Sequence, residues 1–310
     1  MRISVIIPTF RRPGELSVCL RGLENQLRRP DEVVVVVRDT DIVTREWLAC
    51  YEGGDMPVRT VNVTAPGVIA ALKAGAGAAR GDVLAVTDDD AEPLPNWLKD
   101  MEKHYRDPGV GGVGGRDLII RNGVPSGRCV EPVGAVSWYG RITGNHHWGC
   151  GAARDVDVLK GVNMSFRRHL FVLDDSLLGS GAQMYFEVDL CLRVRNLGWR
   201  LIYDPGLVVR HYPARRFDLD KRDEVNPAST YNNAHNETYA LLKNLSASGR
   251  QVFLWYTFLV GTRANPGVAA TPWVLGRYGL AGGWDLVRAS FRGKRAGAGL
   301  YRQLRHRGRA

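Results

Sequence analysis

Short uninterrupted apolar runs alternate with stretches of helical periodicity over the first third of the chain. ISVIIP (residues 3–8) and EVVVVVR (Glu32–Arg38) are rich in Val and Ile with no polar alternation, the pattern of strands buried on both faces. Between them Pro13 suits the first turn of a helix, and Leu16, Leu20, Leu23 and Leu27 recur along one helical face. A second helix is predicted from near Asp41, then a strand at VRTVNV (Val58–Val63), a small-residue helix over 68–79 and a fourth strand at DVLAVT (82–87). This β-α-β-α-β-α-β order predicts an α/β fold with a mostly parallel central sheet flanked by helices. Ligands of such sheets bind beyond the carboxyl ends of the strands. Pro8, Thr9, Arg38, Asp39 and the acids Asp88, Asp89 and Asp90 are therefore expected on one rim.

The pattern then loosens. GVGGVGG (residues 109–115) has a GxGxxG-like spacing but opens no helix, and it reads as a flexible glycine loop, with further loops as far as Gly151. Order returns at LKGVNMSFRR, in a helix at FEVDLCLRVRNLGW, and in two short strands, RLIYDP and LVVRHY. From Pro227 onward helical patterns dominate. The most apolar of them, VFLWYTFLVG (residues 252–261), is too short to span a bilayer and suits a core or interfacial helix.

Composition narrows the class. The chain has 310 residues, 45% of them hydrophobic and 24% charged, which is globular rather than disordered and leaves room for a sizeable core. Five scattered cysteines without a CxxC pair predict reduced thiols and a cytoplasmic protein, and the N-terminus lacks the pattern of a signal peptide. The formal net charge is +10, unevenly spread: beyond Asp285 there is no acid, while Arg288, Arg292, Lys294, Arg295, Arg302, Arg305, Arg307 and Arg309 follow. That asymmetry points to a polyanionic partner, an anionic membrane surface or nucleic acid, or else to a solvated tail.

The triplet Asp88–Asp90 stands out against this charge. Carboxylates ending a strand on the ligand rim suit Mg²⁺ or Mn²⁺, which would also supply the counter-charge that three adjacent acids lack. The bland alternative is helix capping, since Asp90 and Glu92 precede the helical stretch PLPNWLKDMEKHY. A phosphatase of the DxDx[TV] type is disfavoured by Glu92, and no GxxxxGK[ST] loop is present.

The ordered series SVIIPTFRRPGELSVCLRGL, DEVVVVVRD, ARGDVLAVTDDDAEPLPNWL, GVNMSFRR and FEVDLCLRVRNLGWRLIYDPGLVVRH resembles the family 2 glycosyltransferases of GT-A fold over roughly residues 1–215. The resemblance implies a GT-A Rossmann-like catalytic domain over 1–225, with a nucleotide-sugar half (1–115) and an acceptor half (116–225), followed by a helical, basic C-terminal region (226–310). It implies that Pro8, Thr9 and Arg11 line the nucleotide pocket and that Asp39 pairs with the base. Asp88 and Asp90 would form the DxD pair, Asp90 ligating the metal and Asp88 assisting or holding ribose, with Asp89 beside them and His211 completing the metal site. Where relatives carry Glu-Asp-x-Asp-Leu, this chain reads FEVDL. Glu187 thus takes the place of the catalytic base, with Asp189 as the second candidate or as a structural partner of Arg193. Lys73 stands near the position where relatives present an arginine to the diphosphate. In GNHHWGCG (residues 144–151), His147 and Trp148 are candidates for acceptor contact. His146, His147 and Cys150 resemble metal ligands in type, but their spacing matches no strong zinc pattern.

These roles add up to inverting, metal-dependent transfer of a sugar from a nucleotide diphosphate sugar, UDP-linked in this reading, to a hydroxyl of a lipid-linked or cell-envelope glycan. A sugar-nucleotide pyrophosphorylase is the nearest alternative, but its GxGxR signature is missing from PTFRRPGE. A basic nucleic-acid-binding protein rests on charge alone. Peripheral attachment to the inner face of the cell membrane through the C-terminal region, with Trp255, Trp273 and Trp284, accounts better for the basic tail.

Overall fold

A computed structural model describes residues 1–51, 54–121, 124–125, 127–218 and 225–307. Each apolar run of the first third forms a strand. β1 (Ile3–Thr9), β2 (Glu32–Arg38), β3 (Val58–Val63) and β4 (Val83–Thr87) lie parallel in the order β4-β1-β2-β3. Alternate side chains leave opposite faces of the sheet. Ile3, Val5 and Ile7 join one buried cluster with Leu16, Leu20 and Leu23 of α1 (Pro13–Glu24). Leu27 lies beyond the end of α1 and is exposed. The other face takes α3 (Val68–Ala78), where a Cβ on Gly75 would come within 2.5 Å of the Ile6 side chain. α2 (Ile42–Ala49) links β2 to β3.

The chain continues through β5 (Ala91–Pro93), α4 (Trp97–His104), β6 (Val110–Arg121), β7 (Val124–Pro125), β8 (Ala135–Val136), β9 (Ile142–Thr143), β10 (Arg154–Asp155), β11 (Asn163–Arg167), α5 (Phe186–Asn196) and β12 (Arg200–His211). β11 runs antiparallel between β4 and β6, and β12 lies parallel to β6, extending the sheet to the order β10-β12-β6-β11-β4-β1-β2-β3. Two expectations are corrected. The glycine run is not a loop but the start of β6. A Cβ on Gly115 would lie 2.0 Å from the Leu207 carbonyl oxygen and one on Gly112 would lie 2.8 Å from the Phe166 ring, so crowding by neighbours, not flexibility, demands glycine there. The two short strands after α5 are one strand, β12, with a register shift between Asp204 and Val208.

The chain forms two compact units. A sheet unit comprises residues 1–135, 143–173 and 190–215, and a helical unit comprises residues 136–142, 174–189 and 216–310. The helical unit contains α6 (Pro227–Asn244), α7 (Ala247–Leu259), α8 (Thr271–Tyr278) and α9 (Leu280–Arg307). α9 packs against α6 at Gly293 and Gly297, where added Cβ atoms would lie 2.3 and 2.5 Å from the carbonyl oxygens of Tyr231 and His235. Backbone contact this close needs glycine. Lys294, between them, is fully buried and donates to the carbonyls of Thr257 (2.7 Å), Pro266 (2.8 Å) and Asn265 (3.0 Å). It is therefore a structural lysine and no part of a basic surface. Arg309 lies outside the described residues.

The cysteine expectation is also corrected. Cys129 and Cys150 form a disulfide, with Cα atoms 5.5 Å apart, while Cys19, Cys50 and Cys191 are thiols, the first and last buried and Cys50 exposed. The loop doubles back so that Val130 N–H donates to the Trp148 carbonyl at 3.0 Å, which brings together two cysteines 21 positions apart. Among the described residues, no helix is long and apolar enough to cross a membrane.

Candidate active site

Parallel register brings the carboxyl ends of β1, β2 and β4 to one rim of the sheet unit. Pro8 is half-buried and Thr9 buried at the end of β1. Arg11, at φ +58°, donates its backbone N–H to Asp41, whose other oxygen caps α2 through Thr44 N–H at 3.1 Å. The guanidinium groups of Arg11 and Arg38 lie 5.0 and 4.1 Å from the centre of the Phe10 ring. Asp39 follows β2, half-buried, its N–H bonded to the Val63 carbonyl at 3.0 Å. Lys73 is exposed on α3.

The three acids beyond β4 separate into distinct environments. Asp88 is half-buried. Asp89 is fully buried and paired with Arg12, Nη2 to Oδ1 at 2.8 Å. Burial, opposed by Arg12, pushes Asp89 up to about 7. Asp90 accepts from Ala214 N–H at 2.9 Å, and its other oxygen stands 3.4 Å from His211 Nε2. His211 ends β12, whose pairing with β5 sets it across from Ala91, next to Asp90 in the chain. The helix-cap alternative falls away, because α4 starts only at Trp97, with Asn96 as its cap residue.

One carboxylate oxygen each of Asp88 and Asp90 and a ring nitrogen of His211 lie within 4.8 Å of one another, and among the described residues no other cluster of acids, histidines and cysteines could hold a metal ion. Two hard oxygen donors and one imidazole fit Mn²⁺ or Mg²⁺. Burial lowers the basicity of His211, but Asp117 and Asp90 outweigh it and raise the pKa to about 9. A proton thus occupies the electrostatic position that a dication would take over. Asp117 is fully buried, pairs with Lys160 (Nζ to Oδ2, 2.5 Å) and lies 3.9 Å from His211 Nδ1. A carboxylate behind a ligating histidine orients its ring.

Sequence reasoning missed Arg12, Asp117 and Lys160. Arg12 was available in PTFRRPGE as the basic neighbour of Arg11. Asp117 was hidden by reading the glycine run before it as a loop.

Two candidate bases lie in the first turns of α5, within the helical unit. Glu187 is half-buried. Asp189 is buried, and its oxygens accept from Lys243 Nζ at 2.9 Å and Asn244 Nδ2 at 2.8 Å. Its partner is Lys243 rather than Arg193, which donates to the Leu170 and Val172 carbonyls.

The candidates for acceptor contact lie in the sheet unit. His147 and Trp148 are half-buried with ring centres 4.1 Å apart, and Arg128 lies 5.3 Å from the centre of the Trp148 ring. His146 bonds the Val158 carbonyl through Nε2 at 2.8 Å, and Cys150 is spent in the disulfide, so neither serves as a zinc ligand.

Comparison with known proteins bears on the family and the fold. A glucosyl-dolichyl phosphate glucuronosyltransferase of Haloferax volcanii is 26% identical over 224 residues, covering 68% of this chain and 69% of its own length. Another curated relative matches 68% of this chain, which spans only 24% of that relative's length. Among solved structures, a mannosyltransferase of Pyrobaculum calidifontis in complex with GDP-Man and Mn²⁺ superposes with TM-score 0.56 at 19% identity, covering 96% of this chain and 84% of that one. TarS residues 1–349 of S. aureus, in complex with UDP-GlcNAc, gives 0.58 at 15% identity, covering 100% and 92%. These likenesses show the fold, that of the GT-A glycosyltransferases. The family model described as "Glycosyl transferase family 2" matches residues 4–168, more than half of the chain, and the chain therefore belongs to that family.

Proposed function

We propose that this glycosyltransferase moves a sugar, with inversion, from a nucleotide diphosphate sugar to a hydroxyl of a lipid-linked or cell-envelope glycan. The observation that carries the reading is the convergence of Asp88, Asp90 and His211 within 4.8 Å at the ligand rim of the sheet. The Mn²⁺ in the mannosyltransferase complex supports a metal at this cluster, and the UDP-GlcNAc in the TarS complex supports a UDP-linked donor.

Asp39 would accept a hydrogen bond from the base, while Pro8, Thr9 and Arg11 shape the pocket around it and Lys73 adds positive charge near the diphosphate. Asp90 and His211 would hold the divalent cation, with Asp88 assisting or binding ribose. When bound, the cation neutralises charge on the departing diphosphate. Glu187 would take the proton of the acceptor hydroxyl as its oxygen attacks the anomeric carbon, opposite the bond to the nucleoside diphosphate. That bond breaks as the new glycosidic bond forms, and the configuration inverts. Asp189, held by Lys243 and Asn244, is the weaker candidate for that proton. Trp148 and His147 would present an apolar face and a polar edge to the acceptor sugar.

An anionic membrane surface is the partner that best fits the helical unit. Val252, Trp255 and Leu259 share one face of α7, and they are exposed together with Trp273, Leu280 and Trp284. Arg288, Arg292 and Arg295 are exposed along α9. Aromatic and basic side chains together suit the headgroup region. The glucuronosyltransferase named after a dolichyl phosphate sugar gives the lipid-linked acceptor a precedent among relatives.

The first test is calorimetric titration of UDP and GDP with and without Mn²⁺. Wild-type protein should bind UDP in a Mn²⁺-dependent way, and Asp90→Asn should weaken that binding by about 10- to 100-fold or more. Equal affinity with and without Mn²⁺, or an unaffected Asp90→Asn variant, would overturn the metal assignment. Preference for GDP would overturn the UDP assignment alone.

A further inference from the structure

The segment that delivers Glu187 into α5 is strained and stapled. Gln183 and Tyr185 have φ of +42° and +74°, a left-handed conformation that costs about 1 kcal/mol or more for residues other than glycine. Such a conformation persists only where surrounding contacts hold it. Here the contacts come from α6. Asn236, fully buried, accepts from Leu178 N–H (2.8 Å) and donates to the carbonyls of Leu178 (2.8 Å) and Met184 (3.1 Å). Gln183 closes the segment on itself through the Leu177 carbonyl at 3.1 Å.

The last residue before α5 is held by its side chain. The Tyr185 hydroxyl donates to the Glu237 carboxylate and accepts from Asn265 Nδ2 at 3.0 Å, and Asn265 Nδ2 also donates to Glu237 Oε2 at 2.7 Å. Three side chains from three stretches of chain thus close a ring of hydrogen bonds. Burial, with the charges of Glu237 and Glu187, pushes the Tyr185 phenol well above its usual pKa, so it stays a neutral donor. The ring is anchored in turn by Lys294, which grips the carbonyls of Asn265 and Pro266, the latter also bonded by Ser290 Oγ at 2.9 Å. At the other end, Tyr185 carbonyl accepts from Asp189 N–H at 3.0 Å and so opens the first turn of α5, in which Glu187 sits.

We infer that Tyr185, Glu237 and Asn265 are positioning residues for Glu187, so that side chains of the helical unit fix where the base stands in the first turn of α5. The inference rests on the reading of Glu187 as the base. It explains why buried polar groups, costly in themselves, converge under one strained turn when an apolar core would hold the helices together as well. A base displaced by about an ångström loses rate while substrate affinity is untouched, because only the transition state needs the exact placement.

The experiment compares Tyr185→Phe and Asn265→Ala with Glu187→Gln and with Phe253→Leu. The last of these loosens a buried side chain of the same unit outside the ring. For each, UDP affinity with Mn²⁺, kcat, acceptor KM and Tm are measured, with kcat taken well below the lowest Tm. Tyr185→Phe and Asn265→Ala are expected to lower kcat by about 10- to 100-fold with UDP affinity and KM within about twofold. Phe253→Leu should lower Tm with kcat retained. If Glu187→Gln is inactive while the ring variants keep wild-type kcat, the positioning inference fails and the base stands. If Glu187→Gln is fully active, the base reading fails first. A kcat loss in Phe253→Leu equal to that of the ring variants at matched Tm would reduce the ring to general stability and also overturn the inference.

Discussion

Lys243→Met should expose how the helical unit depends on a single cation. Lys243 Nζ stands 2.7 Å from Asp174 Oδ2 and 2.9 Å from Asp189 Oδ2, and the Asp189 side chain is only 2% exposed. Burial opposes ionisation of Asp174, yet bonds from Lys243, Ser176 N–H and the Tyr239 hydroxyl outweigh it and bring the pKa to about 2. Against the ordinary value of 3.8 this is a depression of almost two units, or about 2 kcal/mol of stability at neutral pH. Lys243 supplies only part of that. Its removal also leaves Asp189, a buried carboxylate, without its charged partner, a loss that in buried pairs reaches about 3–5 kcal/mol. With part of the Asp174 contribution, about 1 kcal/mol, added to about 3–5 kcal/mol at Asp189, Lys243→Met at pH 7 is expected to lose about 4–6 kcal/mol, or roughly 10–25 °C in Tm for a unit of this size.

The pH dependence carries the sharper test. A depressed carboxylate pKa contributes stability that is fully present above the unfolded value, near 4, and is lost as pH falls through the folded value, near 2. Urea unfolding of both proteins, followed by circular dichroism, should therefore show a gap that is full at pH 5–7 and narrows by the Asp174 share, about 1 kcal/mol, between about pH 4 and 2. A gap below about 0.5 kcal/mol at pH 7 would mean that the pair is a surface-type bridge of little worth. A gap that persists unchanged at pH 2 would assign the loss to packing of the lysine stem and refute the electrostatic account.

Glu187→Gln should keep Mn²⁺-dependent donor binding and lose transfer by about 10²- to 10⁴-fold; donor affinity falling in parallel would make Glu187 a binding residue. Replacing Trp255 and Trp284 by serine should reduce cosedimentation with phosphatidylglycerol vesicles, with little change on phosphatidylcholine vesicles; equal binding by wild type and variant would remove these residues from the membrane proposal.

Where sequence and structure agree, the chemistry is local. Unbroken apolar runs rich in Val and Ile read as strands covered on both faces, and β1, β2 and β4 form there, while the polar-interrupted VRTVNV forms the partly exposed β3. The acid triplet was legible as a candidate cation site because acids at a strand end on the ligand rim need a counter-charge in almost any context, whereas the choice of Asp88, Asp90 and His211 rested on the family resemblance. The misreadings share another cause. Glycine is flexible on average, lysine exposed, and cysteine in this spacing reduced, but each average fails where a distant segment arrives. Gly115 is rigid because Leu207 presses on it, and Lys294 is buried because three carbonyls from the end of α7 and the turn after it converge on its ammonium. Arg12 neutralises Asp89 across 77 positions of sequence, a pairing that no periodicity encodes. The acid triplet makes the division concrete. Its outer members are marked as candidate ligands by the DxD pattern of the resemblance, whereas the inner one needed the folded chain to bring Arg12 against it, which leaves Asp88 and Asp90 as the two acids grouped with His211.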